Sequence, residues 1–174
     1  MKITAVTPWL INADWDDRPG GDLPRNPTTR EFLFVQVETD AGITGWGEIT
    51  PFPGLVGNRA MHGFVKEVGA LVIGEDPSDI DYIWHKLFRR MTYVGSRGAT
   101  TAAISAIDIA LWDIRGKELG QPIYKLLGGA VRDKIGLYCH PPEPKDPVSA
   151  AIDAKEIVAS GHRAFKFDPF MRSL

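Results

Sequence analysis

Apolar residues along the chain follow two different periods, and the change between them divides the sequence. Residues 2–10 form a short apolar run that predicts a strand. Residues 12–29 then hold three Pro, two Gly and four Asp, which predicts a long polar loop, a length usually tied to function in a compact domain. Residues 31–39 alternate with period two, as a strand does. Phe32, Phe34 and Gln36 fall on one face, with Leu33, Val35 and Val37 on the other. Asp40-Ala41-Gly42 supplies turn chemistry, and residues 43–48 return as a second strand. Residues 50–57, with Pro51, Pro53 and Gly54, read as another loop.

From there the period becomes helical. Asn58 is suited to cap a helix whose apolar stripe is Met61, Phe64, Val65, Val68, Leu71 and Val72, ended by Gly74. A second helix shows Ile80, Ile83, Trp84, Leu87 and Phe88. After a loop at residues 93–98, a third shows Ala103, Ile104, Ile107, Leu111 and Ile114 and closes near Gly120. A short turn at residues 123–127 stops at Gly128-Gly129. Strands followed by helices predict an α+β layout, helices packed on an antiparallel hairpin sheet. Past Arg132 the order becomes strand (135–139), helix (opened by Asp146-Pro147 and ended by Gly161) and strand (164–167). That is a βαβ unit, which implies parallel pairing. Two parallel strands do not make a sheet buried on both faces, so the chain is expected to continue beyond residue 174, or something else to complete the sheet.

Composition narrows the class. Hydrophobic residues are 44%, charged residues 24%, and the net charge is -2. No basic surplus points to nucleic acid or an anionic membrane. One cysteine, Cys139, makes no internal disulfide, which favours a reducing compartment. The first residues lack the apolar core of a secretory signal. The most apolar helical stretch carries Lys66 and Glu67 and is too short to span a bilayer. A cytoplasmic enzyme or binding protein is the expectation.

Three stretches then carry a resemblance. They are Val37-Glu38-Thr39-Asp40-Ala41-Gly42-Ile43-Thr44-Gly45-Trp46-Gly47-Glu48, the helix Ser105-Ala106-Ile107-Asp108-Ile109-Ala110-Leu111-Trp112-Asp113-Ile114-Arg115-Gly116-Lys117, and Pro122-Ile123-Tyr124-Lys125-Leu126-Leu127-Gly128-Gly129 with Arg132-Asp133. In this order and spacing they resemble the enolase superfamily, in its mandelate racemase and muconate lactonizing enzyme branch. The resemblance implies an α+β capping domain over residues 1–130. Residues 131–174 become the first βαβ unit of a TIM-type (β/α) barrel that is incomplete here, since a whole barrel takes ~250 residues. It implies abstraction of a proton α to a carboxylate, with Mg²⁺ stabilising the charge that develops. It also places the acidic Mg²⁺ ligands and one catalytic base on later strands, implies a homo-oligomer, and leaves this chain alone inactive.

By the same resemblance, Lys166 stands at the end of the second barrel strand, where catalytic residues of such barrels gather. Members with a basic residue there usually show Lys-x-Lys. This chain has Lys166 and then Asp168, on one face by the period of two. The expected roles are that Lys166 binds the substrate carboxylate and Asp168 lines the same pocket; the alternative is a Lys–Asp pair without catalytic work. Without the second lysine, racemisation, which needs a base on each face, is disfavoured. Dehydration of an acid sugar, with a His base from a later strand, is favoured. Residues 12–29 and 50–57 match the family's two loops over the substrate. Trp15, Arg18 and Arg25 are candidate substrate contacts in the first, against the plainer reading of a solvated loop. His140, just past the first barrel strand, is a further candidate.

Other patterns are discarded. Asp14, Asp16 and Asp17 fail calcium-loop spacing, since Arg25 stands where a closing Glu belongs. Gly42, Gly45 and Gly47 lack the order of a dinucleotide fingerprint and read as turn and close-packing glycines. Asp108 and Asp113, five apart on a helix, do not share a face. His62, His85 and His162 form no cluster, and Cys139 reads as a small core residue. Two other readings stay open: a racemase, epimerase or cycloisomerase of the same family, and a non-catalytic fragment or stand-alone binding domain.

Overall fold

The computed structural model describes residues 1–14, 29–49, 57–95, 97–139 and 146–166. The described residues up to Gly129 form one compact unit and those from Ala130 onward a second.

The first unit is a three-stranded antiparallel sheet, order β1-β2-β3, with helices on one face. Its strands are β1 (Ile3–Asp14), β2 (Thr29–Thr39) and β3 (Thr44–Ile49). β2 has the expected alternation: Leu33, Val35 and Val37 are fully buried, while Phe32, Phe34 and Gln36 are half-buried on the other face. The turn into β3 has Gly42 at φ 75, and the Gly42 amide donates to the Thr39 carbonyl. The first strand is longer than its apolar pattern. The ladder continues through Asn12–Glu31 and Ala13–Arg30 to Asp14–Thr29. Its bonds are made by backbone groups, so polar side chains do not stop it, and residues 12–14, expected to belong to a polar loop, are strand.

Two helices cover the sheet, α1 (Asn58–Ala70) and α3 (Ala99–Leu119), and α2 (Ile80–Arg90) packs against α3. A short α4 (Ile123–Leu126) follows. Most residues of the predicted stripes are buried, while Phe64 and Leu71 of the first stripe are only partly so. Met61, Val65, Val68 and Val72, then Ile80, Ile83 and Leu87, then Ala103, Ile104, Ile107, Leu111 and Ile114, join Leu33, Val35 and Val37 in one core. Trp84 and Phe88 pack against its rim, their rings stacked at 4.9 Å. The start of α1 differs from expectation. Its cap is Gly57, at φ 111, and Asn58 is the first helical residue. The Asn58 side chain turns away from the helix and donates to the Glu31 carbonyl.

α3 lies directly against β3, and Gly45 and Gly47 make that possible. A Cβ on Gly45 would sit 2.1 Å from the Ala110 carbonyl oxygen, and one on Gly47 would sit 1.9 Å from that of Ala106. The two spacings match. Two strand residues span about 6.6 Å and four helical residues about 6 Å, so one strand repeat fits one helical turn. Asp113 and Lys117 then close the outer edge of β3. The Trp46 amide donates to Asp113 Oδ2 at 2.9 Å, and Lys117 Nζ donates to both the Thr44 carbonyl and Asp113 Oδ2, each at 2.7 Å. Exposed strand edges invite pairing with other chains, and this ion pair occupies the groups such pairing would use. Asp113→Ala is expected to lower stability by about 1.5 kcal/mol, typical of a charge-assisted bond, and to promote concentration-dependent association. Urea midpoints and sedimentation check both effects; an unchanged midpoint would remove Asp113 from this role.

The second unit holds α5 (Pro147–Ala159). Asp146 caps it as expected, accepting from the Val148 and Ser149 amides at 2.8 Å each, with Ser149 completing a reciprocal box. Those amides, Ser149's foremost, hold the Asp146 carboxyl below the usual carboxylate range. Gly161 follows the helix at φ 94. The two flanking segments expected as parallel strands pair in parallel, among the described residues through the bridge of Cys139 with Phe165. Ile135 and Leu137 are 77% and 74% exposed. Parallel strands are stabilised by burial on both faces.

Candidate functional site

Lys166 is the one candidate residue inside the described chain. Its place follows from the βαβ geometry. The Cys139 amide donates to the Ala164 carbonyl at 3.1 Å, and the Lys166 amide donates to the Cys139 carbonyl at 2.9 Å. These two bonds fix the Lys166 backbone one residue past the bridge on the second parallel segment, and its side chain is exposed. A free ammonium at a strand end can bind a carboxylate as a compact charge with three donors. Trp15, Arg18, Arg25, His140 and Asp168 lie outside the described residues. Cys139, expected in a core, is a free thiol of intermediate exposure.

Three other titratable groups, His162, Asp113 and Asp108, sit in structural settings. Ser160 Oγ donates to the Ile157 carbonyl and lies 2.9 Å from His162 Nδ1, which therefore carries the proton between them; this closes the end of α5. Asp113 is the edge clasp of β3. Asp108 is a half-buried carboxyl on α3. Burial first, and the Asp81 carboxylate second, raise it above the ordinary value of 3.8. The folded chain thus holds that proton more tightly than the unfolded chain. Ionised Asp108 costs stability above the folded pKa, and the cost fades as pH falls through it toward 3.8. Asp108→Asn is therefore expected to raise the thermal midpoint at pH 7, with the gain shrinking in acid. A lowered midpoint at pH 7 would show that the carboxylate is stabilising.

No group of three or more His, Cys, Asp or Glu among the described residues could hold a metal ion, so the Mg²⁺ implied by the resemblance does not fit them. No helix among them is long and apolar enough to cross a membrane. The polar contacts made to Glu31 went unpredicted. Asn58 Nδ2 donates to the Glu31 carbonyl at 2.9 Å, and Arg59 pairs with the Glu31 carboxylate at 3.4 Å. Their only trace in the sequence is an Asn beside a Gly at a helix start, which equally fits a cap.

Comparison with known proteins adds a consistent set of relatives. The chain is 37% identical over 169 residues to a D-galactonate dehydratase of Ralstonia pickettii (strain 12J), covering 97% of this chain and 38% of that protein. It is 47% identical over 139 residues to a D-galactonate dehydratase of Xanthomonas euvesicatoria pv. vesicatoria (strain 85-10), covering 79% and 31%. The chain thus spans about a third of the length of these curated relatives. Among solved structures, a member of the enolase superfamily from Agrobacterium tumefaciens matches with TM-score 0.79 and 28% identity over 95% of this chain and 47% of that one. The 3,6-anhydro-D-galactonate cycloisomerase from Zobellia galactanivorans matches with TM-score 0.76 and 28% identity over 96% and 42%. The model of the mandelate racemase / muconate lactonizing enzyme N-terminal domain matches residues 25–128. With that model covering more than half of its residues, and the hairpin, the glycine-lined helix contact and the edge clasp all inside the match, the chain belongs to the mandelate racemase / muconate lactonizing enzyme family of the enolase superfamily.

Proposed function

We propose that this chain is the capping domain (residues 1–130) and the first βαβ unit of the barrel (residues 131–174) of an acid-sugar dehydratase. The observation that carries the reading is the 37–47% identity to D-galactonate dehydratases over most of the chain. In the reaction, the α-proton of a hydroxy acid is removed, the neighbouring hydroxyl leaves as water, and the resulting enol tautomerises to a 2-keto-3-deoxy acid. The α-proton is weakly acidic because its removal puts a second negative charge beside a carboxylate. A fixed cation at that carboxylate offsets this charge where it develops.

Lys166 is assigned that task, with Asp168 lining the same pocket. Trp15, Arg18, Arg25 and His140 are the proposed contacts to the acid sugar, and residues 12–29 and 50–57 correspond to the two substrate loops of the family. Mg²⁺ is the cofactor this reading implies, bound by groups other than the described residues. The assembly is a cytoplasmic homo-oligomer. A cycloisomerase of the same family is the second reading, favoured by the Zobellia structure at 28% identity.

The test incubates the protein from its complete coding sequence with D-galactonate, galactarate and related aldonic and aldaric acids in Mg²⁺, with products followed by mass spectrometry. Loss of one water from at least one acid is the expected result. Isomerisation at unchanged mass would select the second reading.

A further inference from the structure

The two outer edges of the sheet differ. At β3, Asp113 and Lys117 of α3 occupy the edge groups of Trp46 and Thr44. At β1 the start of the strand is occupied: the Ile3 amide donates to the Glu75 carbonyl at 2.9 Å, and the Gly74 amide donates to the Ile3 carbonyl at 2.8 Å. From Ala5 onward, no described residue outside β2 bonds the backbone of β1.

The register tells which groups of β1 face this open edge. Ile3 faces outward, since its amide and carbonyl are both bonded there. The shift between Ile3 and Ala5 adds one residue, which moves the outward set to even positions. Pro8 agrees, because a residue without an amide hydrogen suits an edge strand with its nitrogen turned away from the ladder. Leu10, Asn12 and Asp14 therefore present amide donors to the edge, and Pro8, Leu10 and Asn12 present carbonyl acceptors.

Strand edges are commonly protected by charged side chains, proline or bulges. Here the bulge and Pro8 protect the first half of β1. Residues 9–13, Trp-Leu-Ile-Asn-Ala, have neither device and no charged side chain. The sheet face beside them, turned away from the helices, is apolar as well. Trp9 is 48% and Ile11 45% exposed, opposite Phe34 and Phe32. The Trp9 indole N–H already donates to Gln36 Oε1 at 2.7 Å, so what Trp9 still offers is ring carbon.

We infer that residues 9–13 of β1 pair with the same residues of a second copy, joining two three-stranded sheets into one of six strands. The occupant follows from the clasp on β3. A copy that set its β1 against another's β3 would make a head-to-tail contact that need not close, and Asp113 and Lys117 hold the β3 groups it would use. Antiparallel pairing of β1 with β1 is left, and it closes on a two-fold axis. With Ile11 on that axis, Leu10 of one copy and Asn12 of the other exchange both bonds, and each Asp14 amide meets the Pro8 carbonyl of the other copy. The bulged start stays clear of the contact. The two Ile11 residues then form a close pair, with Cα atoms about 4.5 Å apart, and each Trp9 stands opposite Ala13 of the other copy. The inference rests on the homo-oligomer of the proposed reading and on no step of the dehydration.

The test measures the mass of the protein from its complete coding sequence by sedimentation equilibrium. The parent is expected to be an even-numbered oligomer. Ile11→Lys sets like charges on the axis, and Asn12→Pro deletes an edge donor without touching a bond between β1 and β2; each is expected to halve the mass. A cross-link supplies a gain instead of a loss. Ile11→Cys combined with Cys139→Ser is expected to form an intermolecular disulfide under mild oxidation, because the close pair lies within disulfide reach. Thr7→Cys in the same background, four residues from the axis, is expected not to. The cross-link decides where a substitution unfolds the chain. A monomeric parent overturns the homo-oligomer and the edge together. An oligomer whose mass survives either substitution, or an Ile11→Cys protein that does not cross-link, leaves the homo-oligomer standing and overturns the edge.

Discussion

Gly47→Ala should unfold the first unit under conditions where the parent is stable. The added Cβ would sit 1.9 Å from the Ala106 carbonyl oxygen and 2.8 Å from its carbon. Both are backbone atoms of α3, so no side chain can rotate aside. Relief requires lifting the helix off β3, which would also pull Ile104, Ile107 and Leu111 out of the core and stretch the Asp113 and Lys117 bonds to the strand edge. Overpacking usually costs about 1–3 kcal/mol, and a rigid backbone clash belongs at the top of that range or above it. Domains of this kind have about 5–15 kcal/mol in total. A control of opposite sign lies nearby. Gly63, inside α1, has open space where a Cβ would go, so Gly63→Ala should stabilise by roughly 0.5–1 kcal/mol through helix propensity. Urea midpoints of the two variants should move in opposite directions. Equal or unchanged midpoints would contradict the close helix–strand contact.

Lys166→Met should remove most turnover while leaving the fold intact. The side chain is exposed, and the contacts that place the residue are backbone bonds to Cys139, which methionine keeps. If the ammonium holds the substrate carboxylate in a closed pocket, its loss removes one partner of a desolvated charge pair. Such truncations cost roughly 2–5 kcal/mol, which is at least about 30-fold in kcat/KM. The thermal midpoint should stay within about a degree, as for other surface substitutions. Steady-state kinetics and thermal unfolding together check this. Retained kcat/KM would return Lys166 to an ordinary strand-end charge.

Much of the fold was legible because the signals were local and periodic. The alternation in residues 31–39 located the buried face of β2, and the three- and four-residue spacings located the core stripes of all three helices. Asp146-Pro147 announced the start of α5. Boundaries set by backbone pairing were less visible. The β1–β2 ladder runs on through Asn12 and Glu31 because main-chain groups carry it. Asn58 illustrates a different limit. Capping and tethering call for the same residue type, and only the fold shows that Glu31, 27 positions away, is its partner. The close approach at Gly45 and Gly47 was foreseen in kind, but the opposing Ala106 and Ala110 lie about sixty residues on and needed the packing to be found. As for the site, Lys166 was legible through a resemblance and a strand-end position. Trp15, Arg18, Arg25, His140 and Asp168 stand outside the described residues, and metal ligands belong to no described cluster.

The most direct test of the central proposal is proton NMR of D-galactonate incubated in heavy water with Mg²⁺ and the protein from its complete coding sequence. The account predicts loss of the α-proton signal together with a 2-keto-3-deoxy product carrying deuterium at C3, because the enol left by water loss takes its new proton from solvent. Exchange of the α-proton without loss of water, or no exchange with any acid sugar by a folded protein, would contradict it.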